Sequence, residues 1–313
     1  MTTAFLFPGQ GAQVVGMGAD VASAYPAAAG IFEKANDVLG FDLRKVCFEG
    51  PAETLNTTTM SQPAIFTTSA ALLEVIRTEP AMSGLVPQIT AGLSMGEYTA
   101  LYAAGLISFE DGLRLVHKRG EAMQAAADAT RGAMVSVMGL DEEKVRVLCR
   151  EAAQGDLLEP VNFNCPGQIV VSGTVPSCER VMELAPQHGA LKAIRLEVAG
   201  AFHTAMMAGA ADALRRALSA CQIGEPGEIK TLANIDAEYY PSAASIVEGL
   251  ARQLTSPILW ARCMQRLLAE GVDGLYEIGP NRVLTGLMKR IDRKAKVVNL
   301  STADSIEALL KGV

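Results

Sequence analysis

Short β-rich apolar runs alternate with Ala/Leu-rich stretches of helical period along most of the chain. The runs are AFLF (4–7), QIT (88–90), GAMVSVMGL (132–140), QIVVSG (168–173), LKAIRLEV (191–198) and GLYEIG (274–279). Strands separated by amphipathic helices bury their apolar faces in layers, so the pattern predicts an α/β architecture. Half of the 313 residues are hydrophobic, ample for a core of that kind. Length alone allows one large domain or two modest ones.

The middle third has its own rhythm. GAMVSVMGL reads as a strand. Asp141 is placed to cap a helix to about Ala153, with Glu142 and Glu143 in its first turn. VNFN and QIVVSG follow as two strands around a Pro166-Gly167 turn. A helix near Ser177–Gln187 and the strand LKAIRLEV close the segment. The order β-α-β-β-α-β is ferredoxin-like. Residues 131–198 are therefore expected to form a small inserted subdomain, with 1–130 and 199–313 making one larger α/β domain.

Charge and cysteine usage exclude several function classes. The formal net charge is −7, which disfavours nucleic-acid binding without a concentrated basic face. No apolar run is long enough for a membrane span. MTTAFLFPGQ lacks a basic leader region, so no signal or transit segment is expected and Met1 reads as close to a functional start. The six cysteines form no C-x-x-C pair, H-E-x-x-H is absent, and there are three histidines. Such spacing predicts no metal site and buried cysteines in a reducing cytoplasm.

The chemistry centres on GLSMG, residues 92–96. Ser94 sits in a G-x-S-x-G pattern between a strand at 88–92 and a helix from Met95 onward, with Tyr98, Leu101, Tyr102 and Gly105 at helical spacing. A strand-to-helix turn of this type thrusts the serine outward as a nucleophile. Side chains at 92 or 96 would collide with the strand or the helix. The Met95 N–H, at the helix start, is placed to donate to an oxyanion.

A serine nucleophile needs a base. His188 in QHGA lies at a polar helix end. His117 lies in a helix with basic neighbours and reads as a packing residue. His203, in VAGAFHTAMM, sits in a Gly/Ala-rich turn after a strand, a position suited to a cleft rim, and is the best-placed base. Arg119 interrupts the apolar stripe of Leu115, Val116 and Met123 on its helix. Its guanidinium must find an anion, either an internal carboxylate or that of a substrate; the residues alone favour neither. FPGQGAQ (7–13) lacks the Lys-Ser/Thr of a phosphate loop and reads as a strand-end loop beside the active site.

Taken together, these blocks resemble the malonyl-CoA:acyl-carrier-protein transacylase family. The resemblance runs through FPGQGAQ, GLSMGEYTAL, KRGEAM, NFNCPGQIVVSG, GAFHTAMM, RQLTSPILW and YEIGPNRVLTGL. It implies an α/β-hydrolase-like core with a ferredoxin-like insertion and a site in the cleft between them. It also implies a Ser94–His203 dyad, with the backbone carbonyl of Gln253 orienting the imidazole. Gln10 and Met95 would supply the oxyanion donors. Arg119 would pair with the malonyl carboxylate, and Asn164 would lie near the acyl pocket.

The block around Phe202 resembles the Phe-His version of the family, which implies a preference for malonyl over branched acyl groups. One departure is visible: many members carry His before the nucleophile, where this chain has Leu93. The reaction implied is a ping-pong transfer from malonyl-CoA to acyl carrier protein through malonyl-Ser94, supplying fatty-acid synthesis. No cofactor is expected, nor nucleic acid or membrane, and the chain is expected to be a monomer. The run KRIDRKAK (289–296) is either a carrier-docking patch or a solvated helix end. A trans-acting polyketide-synthase malonyltransferase, a thioester hydrolase and a non-catalytic scaffold are the competing readings. Arg119 argues against the hydrolase, and the intact dyad argues against the scaffold.

Overall fold

A computed structural model describes residues 2–312; the reading of Met1 as a start falls outside the described residues. Among the described residues, nine strands form two sheets: β1 Thr3–Phe7, β2 Ile89–Gly92, β3 Gly132–Met138, β4 Leu158–Cys165, β5 Gln168–Thr174, β6 Lys192–Arg195, β7 Lys230–Thr231, β8 Gly274–Ile278 and β9 Val297–Leu300. The first sheet is parallel throughout, in the order β7-β2-β1-β8-β9. Its central strand β1 is buried along its length. Side chains alternate across a strand, so Phe5 and Phe7 enter one apolar cluster while Ala4 and Leu6 enter another on the opposite face. Burial on both faces is what a parallel sheet flanked by helices requires.

The second sheet is antiparallel, in the order β4-β5-β3-β6. Counted within the segment, that is the 2-3-1-4 arrangement of a ferredoxin-like unit. The helices Glu142–Ala153 and Val175–Leu184 supply Val145, Leu148, Cys178 and Val181 to a core of its own. The architecture is thus an α/β core with a parallel sheet plus a small subdomain with a separate sheet. Met134, Val161 and Val170 of the small sheet pack into the large core, and hydrogen bonds add to that contact. Phe163 donates its N–H to the Ile258 carbonyl (2.9 Å) and Ile258 returns one to Val161 (2.7 Å). Arg290 donates to Gln168 Oε1 (2.9 Å) and to the Gly167 carbonyl (3.2 Å).

Local chemistry sets most element ends. The side chain of Asp141 accepts from the Lys144 N–H as an N-cap. Thr174 caps the next helix with Pro176 in its first turn, so it runs Val175–Leu184, beginning two residues before and ending three residues before the expected Ser177–Gln187 span. The last strand of the small sheet covers only 192–195 of the expected 191–198. Gly105 lies beyond the Gly96–Ala103 helix at φ +74°, the left-handed conformation that glycine takes after a helix end. No described helix is long and apolar enough to cross a membrane.

Candidate active site

β1 and β2 end side by side, Phe7 against Gly92, and the site is built on that shared edge. The chain turns from β2 into the Gly96–Ala103 helix through Ser94, whose φ is +52°. A non-glycine residue with positive φ is strained and persists only where its surroundings hold it. The packing is close enough to explain the flanking glycines. A Cβ at 92 would lie 2.0 Å from the Gly96 carbonyl carbon, and one at 96 would lie 2.2 Å from the Phe7 carbonyl oxygen. Both ends of the Ser94 residue are gripped. Its N–H donates to Asn234 Oδ1 (2.6 Å), and its carbonyl accepts from Gln253 Nε2 (3.0 Å).

Ser94 Oγ lies 3.0 Å from His203 Nε2, and His203 Nδ1 lies 2.8 Å from the Gln253 carbonyl oxygen. A carbonyl only accepts, so Nδ1 carries the proton and a neutral ring presents Nε2 as a free base to the serine hydroxyl. His203 is 4% exposed. Burial above all, and the nearby positive charge of Arg119, push its pKa down to about 3, while the bond to the Gln253 carbonyl opposes them. The imidazole is therefore neutral at any ordinary pH.

Arg119 is 1% exposed and sits on the Phe109–Thr130 helix. Its Nη2 donates to Ser94 Oγ (2.9 Å) and to Gln253 Oε1 (2.9 Å), and its Nη1 donates to Gln62 Oε1 (2.9 Å). Its Nε is buried without a partner. Among the described residues it forms no salt bridge, the closest contacts being neutral oxygens. A buried cation in that condition is costly unless an anion completes it. Burial accordingly works against its charge and lowers its pKa.

These groups open into a cavity of 440 Å³ between the two sheets. Gly9, Gln10 and Gly11 line one rim, and a Cβ at Gly9 would lie 2.2 Å from the Leu93 carbonyl oxygen. The FPGQG loop is thus pressed against the serine turn. Neither the Gln10 nor the Met95 backbone N–H donates a hydrogen bond among the described residues; Gln10 lines the cavity, and Met95 is buried and does not. Leu93 and Phe202 are buried and line the cavity with Ser94, Arg119 and His203.

Three residues of the expected site, Met95, Gln253 and Asn164, do not line the cavity. Asn164 is buried but does not line the cavity, and Asn162 does. β4 carries register irregularities at Pro160/Asn162 and Phe163/Cys165, which simple alternation along a strand does not anticipate. Of the basic run, Arg290 is engaged with the β4–β5 hairpin while Lys289 is exposed. Sequence reasoning also passed over Gln62, Asn234, Glu97 and the side chain of Gln253. Glu97 alone had a signal: an acid in the first turn of a helix whose other residues carry no charge.

The comparisons with known proteins agree with one another. The family model described as "Acyl transferase domain" matches residues 4–307. The malonyl CoA-acyl carrier protein transacylase of Bacillus subtilis (strain 168) is 43% identical over 309 residues, covering 98% of this chain and 96% of the relative. That of Escherichia coli (strain K12) is 42% identical over 288 residues, 92% of each chain. Among solved structures, the malonyl CoA-acyl carrier protein transacylase of Coxiella burnetii superposes with a TM-score of 0.95 at 35% identity, covering 99% of this chain and 97% of that one. A malonyl-transacylase in complex with its type II PKS acyl-carrier protein superposes at 0.95 and 39% identity over 100% of both chains.

Proposed function

We propose that this chain, an acyltransferase that belongs to the acyl transferase domain family, carries a malonyl group from malonyl-CoA to the phosphopantetheine thiol of an acyl carrier protein. The transfer runs in two half-reactions through Ser94. His203 Nε2 takes the Ser94 hydroxyl proton as the oxygen attacks the thioester carbonyl. The Gln10 and Met95 amides hold the oxyanion of the tetrahedral intermediate. The intermediate collapses, the C–S bond breaks, and the imidazolium returns its proton to the departing CoA sulfur. Malonyl-Ser94 remains until the carrier thiol repeats the sequence in reverse, losing its proton to His203. The Gln253 carbonyl keeps the imidazole in the tautomer both steps need.

The observation that carries this reading is Arg119: a buried guanidinium 2.9 Å from the nucleophile with no carboxylate at contact distance. A malonyl carboxylate completes it, and a hydrolase for plain acyl groups has no use for it. That carboxylate also cancels the second cause of the low His203 pKa, raising the basicity of the imidazole once the right acyl group is seated. The match to a type II PKS malonyl-transacylase supports polyketide synthesis as a second setting for the same chemistry.

Arg119→Ala tests the reading. Breaking a buried charge pair costs about 2–5 kcal/mol, so kcat/KM for malonyl-CoA should fall on the order of 10²-fold or more. Transfer of an acetyl group should fall far less. Equal losses for both acyl groups would contradict the clamp.

A further inference from the structure

The proposed reaction leaves unused a buried carboxylate beside its centre. Glu97 is 1% exposed, on a helix whose eight residues are all buried. Tyr240 donates its hydroxyl to one carboxylate oxygen. Gln253 Nε2 (2.9 Å) and the Asn234 N–H (3.0 Å) donate to the other. Every partner is a donor, the arrangement an ionised carboxylate wants.

Gln253 extends this pattern toward the dyad. Its amide nitrogen faces Glu97, and its amide oxygen accepts from Arg119 Nη2 at 2.9 Å. One side-chain amide therefore joins a buried anion to a buried cation that do not touch. Its dipole is aligned to favour both charges.

We propose that Glu97 is the relayed counter-charge of Arg119, acting through the Gln253 amide, and that its charge sets how strongly the pocket prefers an acyl group bearing a carboxylate. The proposal rests on the malonyl transfer proposed above. Glu97 touches no reacting atom and is a positioning residue. While it is ionised, an incoming carboxylate meets an Arg119 whose field is partly cancelled. Once Glu97 is neutral, the full field of the guanidinium is available to the substrate.

The window in which this matters is the working one. Burial, as the main cause, pushes the Glu97 pKa up to about 7, against the bonds from Tyr240, Gln253 and Asn234 and the charge of Arg119. The other groups facing it hold one state there. Tyr98, Tyr240 and Cys263 are pushed up by burial and stay neutral. His203 is pushed down to about 3 and also stays neutral. Arg119 stays charged.

The test is the ratio of kcat/KM for Ser94 acylation by malonyl-CoA to that by acetyl-CoA, followed from about pH 6 to 8.5 across the Glu97 titration. Steps shared by the two thioesters cancel in the ratio. The wild-type ratio should fall about threefold or more as Glu97 ionises. E97Q keeps its hydrogen bonds, because the Tyr240 hydroxyl can turn to accept, and should hold a flat ratio at the high plateau. A flat wild-type ratio overturns the relay. So does an E97Q ratio that keeps the wild-type slope or lies flat below the wild-type value at high pH. If E97Q does not fold, the wild-type curve decides by itself. Wild-type protein that takes no malonyl group on Ser94 overturns the proposed function and the relay together; malonylation with a flat ratio overturns the relay alone.

Discussion

Two walls face each other across the cavity, and they are held by different means. On the parallel-sheet side, Ser94 sits in a strained turn whose N–H, carbonyl and hydroxyl are all engaged, by Asn234, Gln253, His203 and Arg119. On the small-sheet side, the lining comes from Met134, Asn162 and the 196–198 segment. There the Oδ1 of Asn162 is buried without a partner, and the β6 strand that leads into the segment is largely exposed. One wall is over-determined by hydrogen bonds and fits a role in bond making. The other belongs to the small unit, whose sheet packs Met134, Val161 and Val170 into the large core, and it fits a role in bounding what enters. Strain is affordable on the first wall because so many bonds oppose its release.

Substitutions on the two walls should therefore differ in kind. His203→Ala should cost the most, on the order of 10²–10⁴ in kcat for both acyl groups, read in single-turnover acylation. A comparable loss from Asn162→Ala would break the comparison.

Gly96→Ala comes next. A Cβ there meets the Phe7 carbonyl at 2.2 Å, and overpacking of that type costs about 1–3 kcal/mol. Denaturant unfolding should show a lower midpoint, with activity falling through the displaced Ser94. An unchanged midpoint would mean the turn is looser than its contacts imply.

Stability against pH should sharpen the picture of the gripped wall. The folded-state pKa of His203 lies near 3, below the ordinary 6.5 of a free imidazole. The unfolded chain binds more protons between those values, so this group makes stability fall as pH drops through that window. The folded-state pKa of Glu97 lies near 7, above the ordinary 4.5 of a free glutamate. Here the folded chain binds more protons, so stability falls as pH rises through that window. The two slopes oppose one another from about pH 4.5 to 6.5. E97Q should remove one of them and gain on the order of 1–2 kcal/mol over that range relative to wild type. Parallel pH profiles for the two proteins would contradict the assignment.

The smallest effects belong to the small-sheet side. Asn162→Ala should change acylation less than about tenfold, as expected for one uncharged contact. Arg290→Ala, which removes an exposed tie between the units, should cost about 0.5–1 kcal/mol of stability and leave single-turnover acylation intact.

The same contrast governs what could be read from the residues. The small unit was legible as an order of elements, because Asp141, the 3.6-residue pattern after it and the Pro166-Gly167 turn are local signals. The dyad was legible because a G-x-S-x-G at a strand-to-helix junction and a histidine in a small-residue turn are local too. β7 and β9 were not legible, since a two-residue and a four-residue strand at the sheet edges carry no periodicity. Asn234 and Gln253 grip Ser94 from 140 and 159 residues away. Those contacts exist only after the parallel sheet has assembled.

The central claim is that Ser94 carries a malonyl group between two thiols. Intact-mass measurement after mixing with malonyl-CoA, followed by addition of a phosphopantetheinylated carrier protein, tests it most directly. One malonyl adduct is expected, located on Ser94, absent in Ser94→Ala and discharged onto the carrier. No adduct, or an adduct released mainly to water in the presence of carrier, would contradict it.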